Sequence, residues 1–185
     1  RVPLMPMKVD PAIAQIFAEN VRAEVIQRPA GIKLDTAIVQ KISQKVPVFS
    51  GMSHDRLMAT LAVGDSFAVR AGEPVFNEGD IGACFYVLIT GEVAVEKVRN
   101  GKVAVLARLN GGECFGEMAL VGSQVRTATV RAMRDTVTMR FEREQIDANP
   151  PSAHIIYRNI ARILASRLDE SSVMLADLVV QHKPA

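Results

Sequence analysis

The apolar residues of this chain change their spacing twice, from a helical step to a strand-like step and back, and that order excludes most ways of folding 185 residues. From Pro11 to about Leu61 the step is helical: Ile13, Phe17, Val21 and Val25 recur every four residues, and Ile38, Ile42 and Val46 do so again. Pro29 and Gly31 separate the two stripes. Asp35 stands at an N-cap position, with Leu34 and Val39 spaced around it as a hydrophobic staple, so a second helix is predicted to start there. Val46-Pro-Val-Phe-Ser-Gly-Met-Ser interrupts the stripe, and Ser53 is placed to cap a short helix through Leu61. From about Asp65 to Phe141 the step becomes two. Val93 and Val95 alternate with Ala94 and Glu96, and Val137, Met139 and Phe141 alternate with Thr136, Thr138 and Arg140, which predicts strands with one buried and one wet face. Gly72, Gly79, Gly82, Gly91, Gly101 and Gly111 fall between these runs, where turns belong. Helix then returns: a short turn near Arg143 to Ala148, a break at Pro150 and Pro151, and one long helix over about Ala153 to Val180.

These segments predict an α+β fold that is mainly β: an antiparallel β jelly-roll barrel with an N-terminal helical bundle and a long C-terminal helix. A chain that is 49% hydrophobic buries one sizeable core, which leaves little room for a separate catalytic domain. Residues 1–9 read as a tag or disordered leader, 10–63 as the N-terminal helices, 64–142 as the barrel and 143–181 as the C-terminal helices. The net charge of +2 and the lack of any Lys/Arg run argue against a nucleic-acid footprint, so phosphate recognition must be local. Cys84 and Cys114 sit in apolar stretches without metal-ligand spacing, which points to buried thiols in a reducing compartment. No apolar run approaches the ~18 residues of a membrane helix, and a cytoplasmic chain without a membrane partner is expected. His54, His154 and His182 are far apart and read as surface or capping residues; no metal and no catalytic residue is expected.

The chemistry concentrates in residues 115–129, Phe-Gly-Glu-Met-Ala-Leu-Val-Gly-Ser-Gln-Val-Arg-Thr-Ala-Thr, between two strand runs. Gly116 lets a bulky group approach the backbone, and a short helix beginning at Glu117 aims its first N–H groups at that group. Arg126 brings a planar fork suited to phosphate oxygens. Glu117 is out of place beside an anion unless a hydroxyl donates to it, and a ribose 2′-OH next to a cyclic phosphate is such a donor. The plainer alternative is an ion pair between Glu117 and Arg126 on a turn. A P-loop is excluded, because Glu117 occupies the place of its lysine after Gly111 and Gly116.

Phe115-Gly-Glu-Met-Ala-Leu followed by Arg126-Thr-Ala closely resembles the phosphate-binding cassette of cyclic-nucleotide-binding domains, a family that includes catabolite activator protein and protein kinase A regulatory subunits. The resemblance continues through Asn77-Glu-Gly-Asp-Ile-Gly, Phe85-Tyr-Val, Gly91-Glu-Val-Ala-Val and Asn110-Gly-Gly-Glu, covering about Val46 to Leu178 with a cassette at 115–128. It implies that Glu117 takes the ribose hydroxyl and Arg126 the cyclic phosphate. Backbone groups of Gly116, Glu117, Met118 and Ala119 would assist, with Thr127 and Ala128 completing the cassette. Val95 and Leu106 look like pocket walls, unless they are plain core. Ser171 and Ser172 stand where the family places hydroxyls facing adenine, unless they bond back to their own helix. Val125 replaces a frequent proline and Ala83 a frequent polar residue, while Thr127 also occurs in domains that prefer cyclic GMP.

By this resemblance the regulatory ligand is cyclic AMP in preference to cyclic GMP. Residues 143–181 would form a hinge and lid, and the chain would be an allosteric sensor acting on a protein partner or effector domain rather than an enzyme. Only a few residues follow the last helix, so no DNA reading by this chain is expected. Leu164, Leu168, Ser171, Leu175 and Leu178 step by four, three, four and three; the seam either packs on the barrel or pairs two copies as a homodimer. The alternative to ligand binding is a degenerate domain with an empty pocket, serving protein interaction or dimerisation. A phosphodiesterase would need a base or metal ligands near the phosphate, and the sequence offers none there.

Overall fold

The computed structural model describes residues 42–122 and 124–181, apart from the side chain of Gln181. The stripe from Ile13 to Val25 and the cap at Asp35 lie outside the described residues, but Ile42 and Val46 of the second stripe are both buried. A 3-10 turn at Pro47–Phe49 leads into α1 (His54–Ala62). Ser53 takes the extended N-cap conformation there without making the expected side-chain bond.

Eight strands follow: β1 (Asp65–Val69), β2 (Pro74–Phe76), β3 (Cys84–Thr90), β4 (Glu92–Arg99), β5 (Lys102–Asn110), β6 (Cys114–Phe115), β7 (Thr129–Ala132) and β8 (Thr136–Glu142). They form two antiparallel sheets, ordered β1-β8-β3-β6 and β2-β7-β4-β5. The sheets face each other in the jelly-roll manner without a continuous ring of hydrogen bonds among the described residues. Between β6 and β7 lies the short helix α2 (Met118–Val121), and α3 (Arg143–Asp147) and α4 (Pro150–Gln181) end the described chain.

β3 explains how the layers stack. Its sequence Cys-Phe-Tyr-Val-Leu-Ile is apolar throughout and buried throughout, because both of its faces are covered. Cys84, Tyr86 and Leu88 point between the sheets, where they meet Val93, Leu109, Phe115 and Val130. Phe85, Val87 and Ile89 point the other way, under Phe49, Leu57, Ile146, Ile156 and Ile160. Gly64 also belongs to this second layer: a Cβ there would lie 2.6 Å from the Phe141 ring. The wet face predicted for β8 is not wet. Thr136 and Thr138 are buried, and Thr138 Oγ1 donates to Phe67 O at 3.1 Å, so the hydroxyl is satisfied inside while Val137, Met139 and Phe141 pack under the helices.

The predicted break between the short and the long helix is present at Ala148 and Asn149, and Pro150 and Pro151 form the first turn of α4 rather than the break itself. Proline is tolerated in a first helical turn, whose N–H groups have no intrahelical partner. Asn149 caps it, with Oδ1 accepting from Ser152 N–H at 3.3 Å and its carbonyl from Ala153 N–H at 2.9 Å. α4 is tied to the entry turn by Asn159, a buried amide that donates to Val48 O at 3.1 Å and Ser50 O at 2.8 Å. Asn159→Ala leaves two carbonyls short of their donors, and the expected loss is about 1–3 kcal/mol. The check is a lower urea midpoint at an unchanged slope.

Candidate functional site

Arg126 lies between α2 and β7 and is 5% exposed. Its Nη1 donates to Cys84 O and Gly116 O, both at 2.8 Å, and its Nη2 to Cys84 Sγ at 3.0 Å. The guanidinium lies over the Phe76 ring, 4.3 Å from the centroid, with Tyr86 at 5.9 Å. Two glycines make room for it. Gly116 has a φ of 75°, and a Cβ there would stand 2.7 Å from Nη1; one on Gly82 would stand 2.8 Å from Nη2. Gly82 is therefore needed for space rather than for the turn predicted from its place in the sequence.

No carboxylate among the described residues pairs with Arg126, so a buried cation is balanced only by carbonyl dipoles, a thiol and ring faces. Burial, and then the Cys84 thiol beside it, push the Tyr86 hydroxyl upward and keep it protonated. A guanidinium carries five N–H donors, and these three bonds leave Nε–H and one Nη2 hydrogen for an anion. Cys84, Tyr86, Phe76 and Gly82 were not singled out as site residues in the sequence. The period of β3 was the available signal for the first two, since it puts Cys84 and Tyr86 on one face.

Glu117 is 3% exposed and does not pair with Arg126, which removes the plainer alternative drawn from the sequence. Its partner is Arg167 on α4, with Nη1 to Oε1 at 2.6 Å, and Arg167 Nη2 also donates to Cys114 O at 2.7 Å. Arg167 is the functional candidate the sequence reading missed. It lies one helical turn before Ser171, on the helix implied to face the ligand, and that spacing was the only hint. Close by, burial raises the Glu113 carboxyl and pushes the Cys114 thiol up to about 12. Cys84 and Cys114 are both buried free thiols.

The other sequence candidates divide. Ala119 and Ala128 are buried within the cassette, and Met118 is half exposed with its sulfur 3.6 Å from Thr127 Oγ1. α2 begins at Met118 rather than Glu117, and the Ala119 N–H is turned onto Gly116 O at 3.2 Å, so fewer first-turn donors face outward than the sequence implied. Val95 packs with the inter-sheet core. Leu106 does not: it is the extra residue of a β-bulge, opposite the step from Val95 to Glu96, and is 53% exposed. Ser171 and Ser172 are exposed and bond back to Arg167 O and Leu168 O, each at 2.8 Å, the local alternative left open by the sequence. Leu164 reaches the helical core, whereas Leu168 and Leu175 are 67% and 62% exposed, so these two do not pack on the barrel. The reason is length: 32 residues at 1.5 Å each run about 48 Å, well past a small sandwich. Among the described residues no three His, Cys, Asp or Glu side chains cluster as a metal site, and no helix is long and apolar enough to cross a membrane.

Residues 66–148 match the Cyclic nucleotide-binding domain. The chain is 31% identical over 130 residues to the cyclic AMP receptor protein of Thermus thermophilus, covering 70% of this chain and 60% of that protein. It is 32% identical over 108 residues to the cAMP-dependent protein kinase regulatory subunit of Mycosarcoma maydis, covering 57% of this chain and 20% of that one. The crystal structure of the Thermus thermophilus catabolite activator protein superposes with a TM-score of 0.66 at 30% identity, over 72% of this chain and 63% of that one. The matched part thus spans three fifths or less of these curated relatives. Glu117 and Arg126 fall within the matched range and Arg167 lies beyond it, and residues 66–148 belong to the cyclic nucleotide-binding domain family.

Proposed function

We propose that this chain is an allosteric sensor that binds a cyclic nucleotide, cyclic AMP in preference to cyclic GMP, and signals through α4 to a protein partner. The single observation that carries the ligand is Arg126: a buried guanidinium with no carboxylate partner among the described residues and two donors to spare. A buried charge costs several kcal/mol unless paired, and a singly charged cyclic phosphate is the pairing the cassette is shaped for. Cyclic AMP is favoured by the likeness to a cyclic AMP receptor and a cAMP-dependent kinase subunit. Residues 143–181 serve as hinge and lid. The Arg167 to Glu117 pair supports this, since a ribose hydroxyl donating to Glu117 acts on the same carboxylate that holds α4. A ligand moves such a helix only by differential affinity, and a 100-fold preference for one position supplies ~2.7 kcal/mol.

The exposed seam of α4 favours a second copy of this chain as an additional partner. Its four-three spacing is self-complementary, and Leu168 and Leu175 are exposed in the single chain. The buried free thiols fit a cytoplasmic setting.

The role of Glu117 is tested with the 2′-deoxy analogue of cyclic AMP. The wild type is expected to bind it at least ~10-fold more weakly than cyclic AMP, about 1.4 kcal/mol for one bond to a charged acceptor. Glu117→Gln is expected to narrow that gap. Equal affinity of the wild type for the two nucleotides would remove Glu117 from the ligand site.

A further inference from the structure

Arg143 is the first residue of α3, yet its side chain leaves that helix and ends on the cassette. Its Nη2 donates to the carbonyls of Ala119 and Leu120, at 2.5 and 2.7 Å. They lie in the four-residue helix α2, where the Met118 carbonyl already accepts from Gly122 N–H, and a cation at a helix C-terminus is favourable. The backbone N–H of Arg143 donates to Ala83 O at 2.8 Å, beside the Cys84 that holds Arg126. One residue therefore grips both strands of chain that carry the anion site.

The other end of α3 is fastened to α4. Tyr157 Oη donates to Asp147 Oδ1 at 2.7 Å, and Ile146 is buried in the same cluster as Ile156 and Ile160. Arg143 Nε is buried without a partner among the described residues, which is rare in a settled arrangement and fits an element with a second resting position.

We propose that Arg143 is the positioning residue through which the state of the cassette reaches the C-terminal helix. When α2 moves toward a bound phosphate, its two carbonyls carry the guanidinium with them. The guanidinium belongs to α3, so α3 turns and α4 follows. The bonds are charge-assisted and directional, whereas an apolar contact at the same place would let α2 slide past α3. The ligand-driven part of this inference rests on the cyclic nucleotide reading; the mechanical link between α2 and α3 does not.

The test is hydrogen exchange on wild type, Arg143→Met and Arg143→Lys, each with and without saturating cyclic AMP. In the wild type the nucleotide is expected to change exchange both in residues 116–122 and along α4. In Arg143→Met the cassette response is expected to persist, with affinity within roughly fivefold of wild type, and the α4 response to be lost. Arg143→Lys, which can still donate to the carbonyls, is expected to return part of it. A residue that merely stabilised the fold would lower protection everywhere and leave the α4 response in place; an undiminished α4 response in Arg143→Met overturns the proposal. Without nucleotide, the amides of Leu120 and Gly122 are expected to exchange about tenfold faster in Arg143→Met. Unchanged rates there overturn the link whether or not a nucleotide binds. No uptake of cyclic nucleotide by the wild type, with the faster exchange still seen in Arg143→Met, sinks the ligand reading and leaves the link standing.

Discussion

Arg126→Ala is expected to weaken cyclic AMP binding by at least ~100-fold while leaving the ligand-free fold nearly as stable as before. Truncating one member of a buried, hydrogen-bonded charge pair costs about 2–5 kcal/mol, and each 1.4 kcal/mol is tenfold in affinity. The small effect on the fold follows from opposing terms. The substitution gives up bonds to Cys84 O and Gly116 O and the contact with Phe76, but it also removes a buried charge that has no carboxylate partner among the described residues. Titration calorimetry reads the first effect, and thermal unfolding the second. In the wild type the melting temperature is expected to rise with nucleotide concentration, and in Arg126→Ala that rise is expected to disappear. Arg126→Lys keeps the charge without the planar fork and is expected to fall between them. Unaltered affinity in Arg126→Ala would mean that the buried guanidinium serves packing alone.

Phe141→Ala is expected to cost the most stability of any single substitution discussed. Phe141 is fully buried, stacks on Phe85 with ring centroids 5.1 Å apart and meets the edge of Phe49 at 5.7 Å. Those three rings join β3, β8 and the entry turn, and the shortfall of side chain at Gly64 is what admits the Phe141 ring. Removing a buried aromatic side chain costs about 3–5 kcal/mol, against a total of roughly 5–15 kcal/mol for a domain. For a chain of this size the melting temperature is expected to drop by about 10 °C or more. Phe141 lies under the helices, away from Arg126, so a variant that still folds is expected to bind nucleotide. A drop of only ~1 kcal/mol would mean that the helical layer repacks freely over the sheet.

The passage from strands to the C-terminal helix was legible because hydrophobic period is a local property, and the alternation after Gly91 marked β4, whereas β3 is apolar throughout and carries no such signal. The wet face assigned to β8 was not a reading error of period but of chemistry. Threonine is polar in a pattern, yet Thr136 and Thr138 are buried with their hydroxyls bonded to Arg134 O and Phe67 O. The break between α3 and α4 was legible, but it falls at Ala148 and Asn149 and the prolines open α4, since a proline pair marks a helix start as readily as an end when Asn149 stands before it. Glu117 and Arg126 were legible because they share one short stretch of chain. Arg167 was not, because its pairing with Glu117 spans fifty residues and depends on how α4 crosses the cassette. At Leu106 the bulge breaks the period of β5, and its exposure removes the plain core role left open by the sequence; the valine-rich strand gives no sign of the extra residue.

The most direct measurement is calorimetric titration of the wild-type chain with cyclic AMP and with cyclic GMP, after unfolding and refolding to remove any nucleotide carried from expression. Saturable binding at one site per chain, tighter for cyclic AMP, is the expected result. No heat and no change in melting temperature with either nucleotide would contradict the sensor, and would leave a cassette whose cation is held for the fold and a C-terminal helix that serves only to join copies or partners.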